Sequence, residues 1–146
     1  MKKALIIGTL TFLVLLIVGC SDNITGNAVA DNKGQITIPL SEVSTTAKFY
    51  TFNDKGININ YFTVLGSDGK PRTAFDACDV CGGSKGYSQR GNDMVCNNCG
   101  RFFSIDDIGT KNGPGGCWPS FLEHKIEGDN IIIKKSNLAK GASRFR

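Results

Sequence analysis

Ile57-Asn58-Ile59-Asn60-Tyr61-Phe62-Thr63-Val64-Leu65, then Gly66-Ser67-Asp68-Gly69-Lys70-Pro71, then Arg72-Thr73-Ala74-Phe75-Asp76-Ala77-Cys78-Asp79-Val80-Cys81-Gly82, is the run on which the fold turns. Its first part is dense in the β-branched and aromatic residues that suit a pleated strand, and Ser67 to Lys70 carries the Asp-Gly signal of a tight hairpin. Arg72 to Ala77 is then the returning strand, and it delivers the chain to a Cys-x-x-Cys-Gly unit. The same grammar continues on both sides. Ile36 to Pro39 alternates, and Ala47 to Phe52 reads as a further strand. Gly91-Asn92-Asp93 separates a strand at Tyr87 to Arg90 from one at Met94 to Cys96, and Glu127-Gly128-Asp129-Asn130 separates Phe121 to Ile126 from Ile131 to Lys135. No segment holds a convincing helical period, so the sequence predicts a mainly β domain of hairpins with at most a short helix near Ser136 to Gly141.

The second Cys-x-x-Cys-Gly unit, Cys96-Asn97-Asn98-Cys99-Gly100, follows across the Gly91 hairpin. Two residues between cysteines let both sulfurs point at one ion, and the hairpin brings the second pair in from the other side. A glycine after each pair tolerates the positive φ that closes such a knuckle and lets backbone N–H groups approach sulfur. The pattern is that of a four-cysteine double knuckle of zinc-ribbon or rubredoxin-like type, with Cys78, Cys81, Cys96 and Cys99 as ligands. Other uses of the sulfurs are disulfides, since exported proteins usually oxidise their cysteines, and thioredoxin-type redox pairs. A bridge inside Cys-x-x-Cys closes too short a loop to staple a fold well, and the hairpins offer no βαβ setting for thioredoxin chemistry. For a metal, spacing leaves structural zinc and an iron centre equally open. Cys117 stands apart in Gly113-Pro114-Gly115-Gly116-Cys117-Trp118-Pro119, a loop set for close backbone approach. It is read as a fifth or replacement ligand or a reactive thiol, against the alternative of a small apolar residue packed beside Trp118.

The chain has 146 residues, 40% of them hydrophobic and 21% charged, which is one modest domain and excludes a multidomain enzyme. Formal net charge is +4, and setting aside Lys2 and Lys3 leaves 15 basic against 13 acidic side chains, too even a balance for a nucleic-acid partner. No Ser-His-Asp set or phosphate-cradling loop is present, so hydrolase and nucleotide chemistry have no residues to run on. His124, the only histidine, reads as a partly buried strand residue. Asp76 and Asp79 flank the first knuckle as solvated acids, and Tyr87, Phe102 and Phe103 are expected over the site or in the core.

Lys2 and Lys3 precede an apolar stretch from Ala4 to Val18, a charged n-region followed by an h-region. Fifteen helical residues span roughly 22 Å, short of a hydrocarbon core of about 30 Å, so residues 1–19 read as a signal peptide. The stretch ends Ile17-Val18-Gly19-Cys20, which resembles the lipobox of exported lipoproteins and makes Cys20 the expected site of lipidation. Residues 20–35 then form a polar tether with a reach of about 20 Å, and the folded domain, residues 36–146, stands at the extracytoplasmic face of the cell membrane. The last thirteen residues carry five basic side chains and no acid, which reads as a solvated tail or one drawn to an anionic surface.

Taken together, Tyr61-Phe62, Arg72 to Cys81, Gly86-Tyr87, Met94 to Gly100, Ile108-Gly109 and Gly115-Gly116-Cys117 resemble the FtrD-like membrane iron-sulfur proteins over about residues 36–146. The resemblance implies a metal on Cys78, Cys81, Cys96 and Cys99, Cys117 in the site region, and an electron-transfer role beside a membrane iron permease or redox partner. It implies an iron-sulfur cluster or a single iron, with zinc as the alternative. The family usually has Asn after Gly-Gly-Cys, where this chain has Trp118.

Overall fold

The computed structural model describes residues 29–30, 34–83, 85–110 and 116–146. The expected signal peptide, Cys20 and residues 113–115 of the Cys117 loop lie outside the described residues. Among the described residues no helix is long and apolar enough to cross a membrane.

Three antiparallel sheets follow from the hairpins. β3 (Lys48–Asp54), β4 (Ile57–Leu65) and β5 (Pro71–Phe75) form the middle one. Lys55 and Gly56 both take positive φ, 51° and 85°, which is the two-residue turn whose twist matches the flanking strands. β6 (Tyr87–Arg90), β7 (Asp93–Cys96) and β8 (Phe102–Ser104) form another, and β1 (Val29–Ala30), β2 (Gln35–Pro39), β9 (Lys125–Glu127) and β10 (Asn130–Lys134) form the last, in the order β1-β2-β10-β9. That last sheet joins the two ends of the domain: Ile36 and Ile38 lie opposite Ile133 and Ile131. Val29 and Ala30, within the stretch expected as tether, pair with Thr37 and Ile36.

The near-continuous apolar run of β4 has a physical reason. Successive side chains point to opposite faces, and both faces of this strand are covered. Ile59 and Tyr61 pack into a core with Ile36, Ile38, Ile131, Ile133 and Leu138. Phe62 and Val64 pack into a second core with Met94, Phe103, Ile105 and two cysteines, Cys78 and Cys96. The middle sheet is thus a wall with an ordinary aliphatic core behind it and a cysteine-bearing core in front.

The expected mainly β fold of hairpins is the one observed, with three differences of detail. The strand expected over Phe121 to Ile126 forms only from Lys125, because the preceding backbone is used along the edge of β5. Ser120 O accepts Phe75 N–H at 2.8 Å, Phe121 makes a single bridge to Ala74, and Leu122 O accepts the Thr73 hydroxyl at 2.7 Å. β8 has no counterpart among the strands expected from sequence; it pairs Phe102 with Val95 and leaves Phe102 exposed, 58%, while Phe103 points into the cysteine-bearing core. The basic C-terminus is not a solvated tail. It forms α1 (Lys135–Ala139) and a 3-10 turn (Ala142–Phe145), buries Leu138 and Ala142, and packs Phe145 on the aliphatic core.

Candidate metal centre

The first knuckle begins three residues beyond β5, and the second begins at the last residue of β7, so the middle sheet and the β6-β7-β8 sheet each present one end to the site. The two knuckles close in the same way. Gly82 N–H donates to Cys78 O at 3.1 Å and Gly100 N–H to Cys96 O at 2.8 Å, with both glycines in the left-handed region at φ 64° and 72°. A side chain at either position would be strained, which is why each Cys-x-x-Cys ends in glycine.

All five described cysteines are free thiols. Cys78 and Cys96 are buried, Cys81 and Cys117 half-buried, and Cys99 exposed. The sulfurs of Cys78, Cys81 and Cys117 all lie within 4.8 Å of one another. Cys99 lies near enough to Cys96 and Cys117 for these thiols to shift one another's ionisation. Thiolates around one tetrahedral ion at about 2.3 Å sit roughly 3.8 Å apart, so the trio has the dimensions of one side of a thiolate shell. The spacing of the knuckles alone paired Cys78 and Cys81 with Cys96 and Cys99; the fold adds Cys117 to the first pair.

Cys117 is held there by its neighbours. Gly116 precedes it at φ 75°, and Tyr87 donates its hydroxyl to Cys117 O at 2.5 Å. Phe103 bridges the ring of Tyr87 and that of Trp118, edge-on to both at 6.1 and 5.1 Å between centroids. Burial, then the sulfurs of Cys78 and Cys96, push the Tyr87 phenol far above its usual range, so it is a permanent donor. Tyr87→Phe should remove one hydrogen bond worth roughly 1 kcal/mol and loosen the Cys117 segment. In metal-free protein the expected result is about fivefold faster alkylation of Cys117, read by peptide mass spectrometry, with exposed Cys99 unchanged.

The sulfurs are electrostatically unequal. Burial raises Cys78, but the N–H groups of Cys81 and Val80 and further side-chain bonds outweigh it, and its thiol shifts down; the Cys81 N–H lies 3.0 Å from Cys78 Sγ. The Arg101 N–H pulls Cys99 down, while burial holds Cys96 up. Cys117 is pushed up to about 12, first by its bond to Cys99, then by burial and by the charge of Cys99, Cys81 and Cys78. Thiolates this close oppose one another's ionisation, and a cation among them removes the conflict. Trp118, packed on the same cluster, buries its indole N–H without a partner. An all-sulfur donor set with backbone N–H groups aimed at it fits a thiolate-held iron or zinc centre.

A family comparison bears on what that centre is. The model of the FtrD-like family, described as membrane iron-sulfur containing protein FtrD-like, matches residues 43–145. The chain belongs to the FtrD-like family. It is therefore a membrane-associated, iron-sulfur-related protein with a thiol cluster able to bind metal. No curated protein matches the chain.

Other residues singled out in this FtrD-like sequence fall in three groups. Tyr87 and Phe103 pack over the site as expected, whereas Phe102 does not. Asp76 and Asp79 are not simply solvated. Asp76 accepts the Tyr87 N–H at 2.6 Å and is raised by burial, and Asp79 takes the Arg144 guanidinium at 2.7 Å and the Ser120 hydroxyl. His124 hydrogen-bonds Thr73 at 2.7 Å, and burial lowers its pKa. Asn98 and Arg144 escaped the sequence reading. Asn98 Nδ2 donates to Cys81 Sγ at 3.0 Å, and Arg144 O accepts the Gly83 N–H at 2.7 Å. Asn98 lies inside a Cys-x-x-Cys, a position that itself points to the site; nothing local marks Arg144. A cleft of about 650 Å³, lined by Asn58, Asn60, Cys78, Cys81, Arg144 and Arg146 among others, opens beside the first knuckle.

Proposed function

We propose that this protein is a lipid-anchored, extracytoplasmic electron-transfer component of iron uptake, tethered through Cys20 and working beside a membrane iron permease or redox partner. The observation that carries the reading is the convergence of three free thiols, Cys78 and Cys81 of the first knuckle and Cys117, in a chain of the FtrD-like family. Cys78, Cys81, Cys96 and Cys99 are the proposed ligand pool, and Cys117 stands as a fifth thiol within ligand distance of the first knuckle. When bound, an iron centre supplies a one-electron couple. The chain's own residues do the rest. N–H groups of Val80, Cys81 and Arg101 offset negative charge on sulfur, Phe62, Met94 and Phe103 keep one side dry, and exposed Cys99 brings the other side to the surface where a partner can reach it. No acid–base pair stands among the described residues at the site to give it a substrate reaction of its own.

The close trio of sulfurs also favours a second reading, a single zinc ion in a protein-interaction lipoprotein. A thiol oxidoreductase using Cys117 has less support, because the neighbouring thiols of Cys99, Cys81 and Cys78 push the Cys117 thiol up, away from the thiolate that such chemistry needs. Anaerobic purification followed by metal and sulfide analysis, absorption spectroscopy and redox titration separates these. We expect iron, colour and a reversible one-electron transition between roughly −700 and +450 mV. Stoichiometric zinc with no transition in that window would make the electron-transfer reading wrong. The anchor has its own test: Cys20→Ser should move the protein from the membrane to the soluble fraction in a producing cell and leave metal content unchanged.

A further inference from the structure

The two knuckles close alike through glycine, and the donor at the second sulfur of each breaks the likeness. In the second, Cys96 receives the N–H groups of Asn98 and Cys99, and Cys99 receives the N–H of Arg101, two residues further on. In the first, Cys78 receives the N–H groups of Val80 and Cys81 in the corresponding way. The counterpart of Arg101 is Gly83, and its N–H does not turn to Cys81. It donates to Arg144 O at 2.7 Å, because the C-terminal 3-10 turn lies across the knuckle and Arg144 is fixed there by Asp79. Cys81 Sγ instead has Asn98 Nδ2 at 3.0 Å, an amide reaching over from the second knuckle.

We infer that Asn98 replaces the backbone donor that the C-terminus has taken from Cys81, and that its side-chain amide stabilises negative charge on that sulfur and thereby helps set the potential of the bound centre. Reduction adds one electron to the centre and makes its thiolates more negative, so an N–H donor favours the reduced form. Three of the sulfurs are served by backbone amides that no substitution removes. At Cys81 the donor is an exposed side chain, so this is the sulfur whose environment the sequence can tune without touching the fold. Its neighbour Asn97 does a different task. Its amide bonds Lys85 O at 3.0 Å, and its carbonyl takes the Ser88 hydroxyl at 2.8 Å, tying the knuckle to β6.

The potential-setting part rests on the electron-transfer reading above; the hydrogen bond itself does not. The test uses the full chain with Asn98→Ala, Asn98→Asp and, for comparison, Asn97→Ala, each checked for metal content and melting temperature. At a fixed electrode potential Asn98→Ala should raise the oxidised-to-reduced ratio about tenfold, a fall in midpoint of about 59 mV for one electron, and Asn98→Asp should lower it further. Asn97→Ala should lower melting temperature and leave the midpoint in place. An unchanged midpoint in metal-loaded Asn98→Ala overturns the inference and leaves the electron-transfer reading standing, and loss of metal by Asn98→Ala overturns it too, since the residue would then be structural. If wild type shows no redox transition, the electron-transfer reading fails, and zinc-loaded protein decides the hydrogen bond. Transfer of zinc to a chelator should then be about tenfold faster for Asn98→Ala, and an equal rate overturns the inference.

Discussion

Cys78→Ser is expected to abolish metal binding and to lower stability on the order of 3 kcal/mol, roughly 10–20 °C in Tm for a domain of this size. Cys78 is 1% exposed, its sulfur lies within 4.8 Å of Cys81 and Cys117, and it takes two backbone N–H groups. Serine at this position puts a shorter, uncharged hydroxyl before those donors and removes the buried one of the two sulfurs shared by the first knuckle and the close trio. Because metal binding and folding share one free energy, the deficit should shrink when wild type is stripped with a chelator, the two proteins then melting close together. Exposed Cys99 gives the contrast. Cys99→Ser should weaken metal retention with a smaller loss of stability, because the residue buries little surface. A Cys78→Ser protein that keeps full metal content and its wild-type melting temperature would remove Cys78 from the ligand set.

The parts of this arrangement that could be read from sequence are those encoded by neighbours in the chain. Asp68-Gly69 and Gly91-Asn92 marked the turns, the run from Ile57 to Leu65 has the bounds of β4, and each Cys-x-x-Cys-Gly announced a knuckle. What escaped depends on contacts between distant residues. Ile36 pairing with Ile133 leaves no local trace, because alternation tells which face of a strand is apolar and not which strand lies beside it. The basic C-terminus looked solvated because Lys140, Arg144 and Arg146 dominate its composition. Its burial is carried chiefly by Leu138, Ala142 and Phe145, at spacings too short to establish a period. Asp79 looked solvated for the same reason: its partner Arg144 is 65 residues away. At the site, spacing could mark the two cysteine pairs, but the placing of Cys117 beside Cys78 and Cys81 depends on Tyr87 and on the packing of Trp118 against Phe103.

Gly83→Ala is expected to cost about 2–3 kcal/mol although the residue it introduces is small and the backbone conformation is not in the left-handed region. A Cβ at this position would lie inside the van der Waals envelope of the Phe145 ring, against Cδ1 and Cε1, and a ring held on the aliphatic core and packed against Phe75 at 6.5 Å cannot step aside freely. If it is pushed out, the Gly83 N–H loses Arg144 O, and the Arg144 guanidinium is drawn off Asp79 and off the Phe75 face, where it sits 5.6 Å from the ring centroid. The cause can be separated from a general intolerance of the knuckle by a double-mutant cycle. Phe145→Ala alone should cost about 2 kcal/mol for the lost ring, and adding Gly83→Ala to it should cost less than about 0.5 kcal/mol, because the obstacle is gone. Denaturant unfolding of the four proteins at equal metal loading measures the coupling. Additive costs would mean that Gly83 is required for a reason other than the C-terminus lying across the knuckle, and would separate the end of the chain from the cysteine knuckle that it touches.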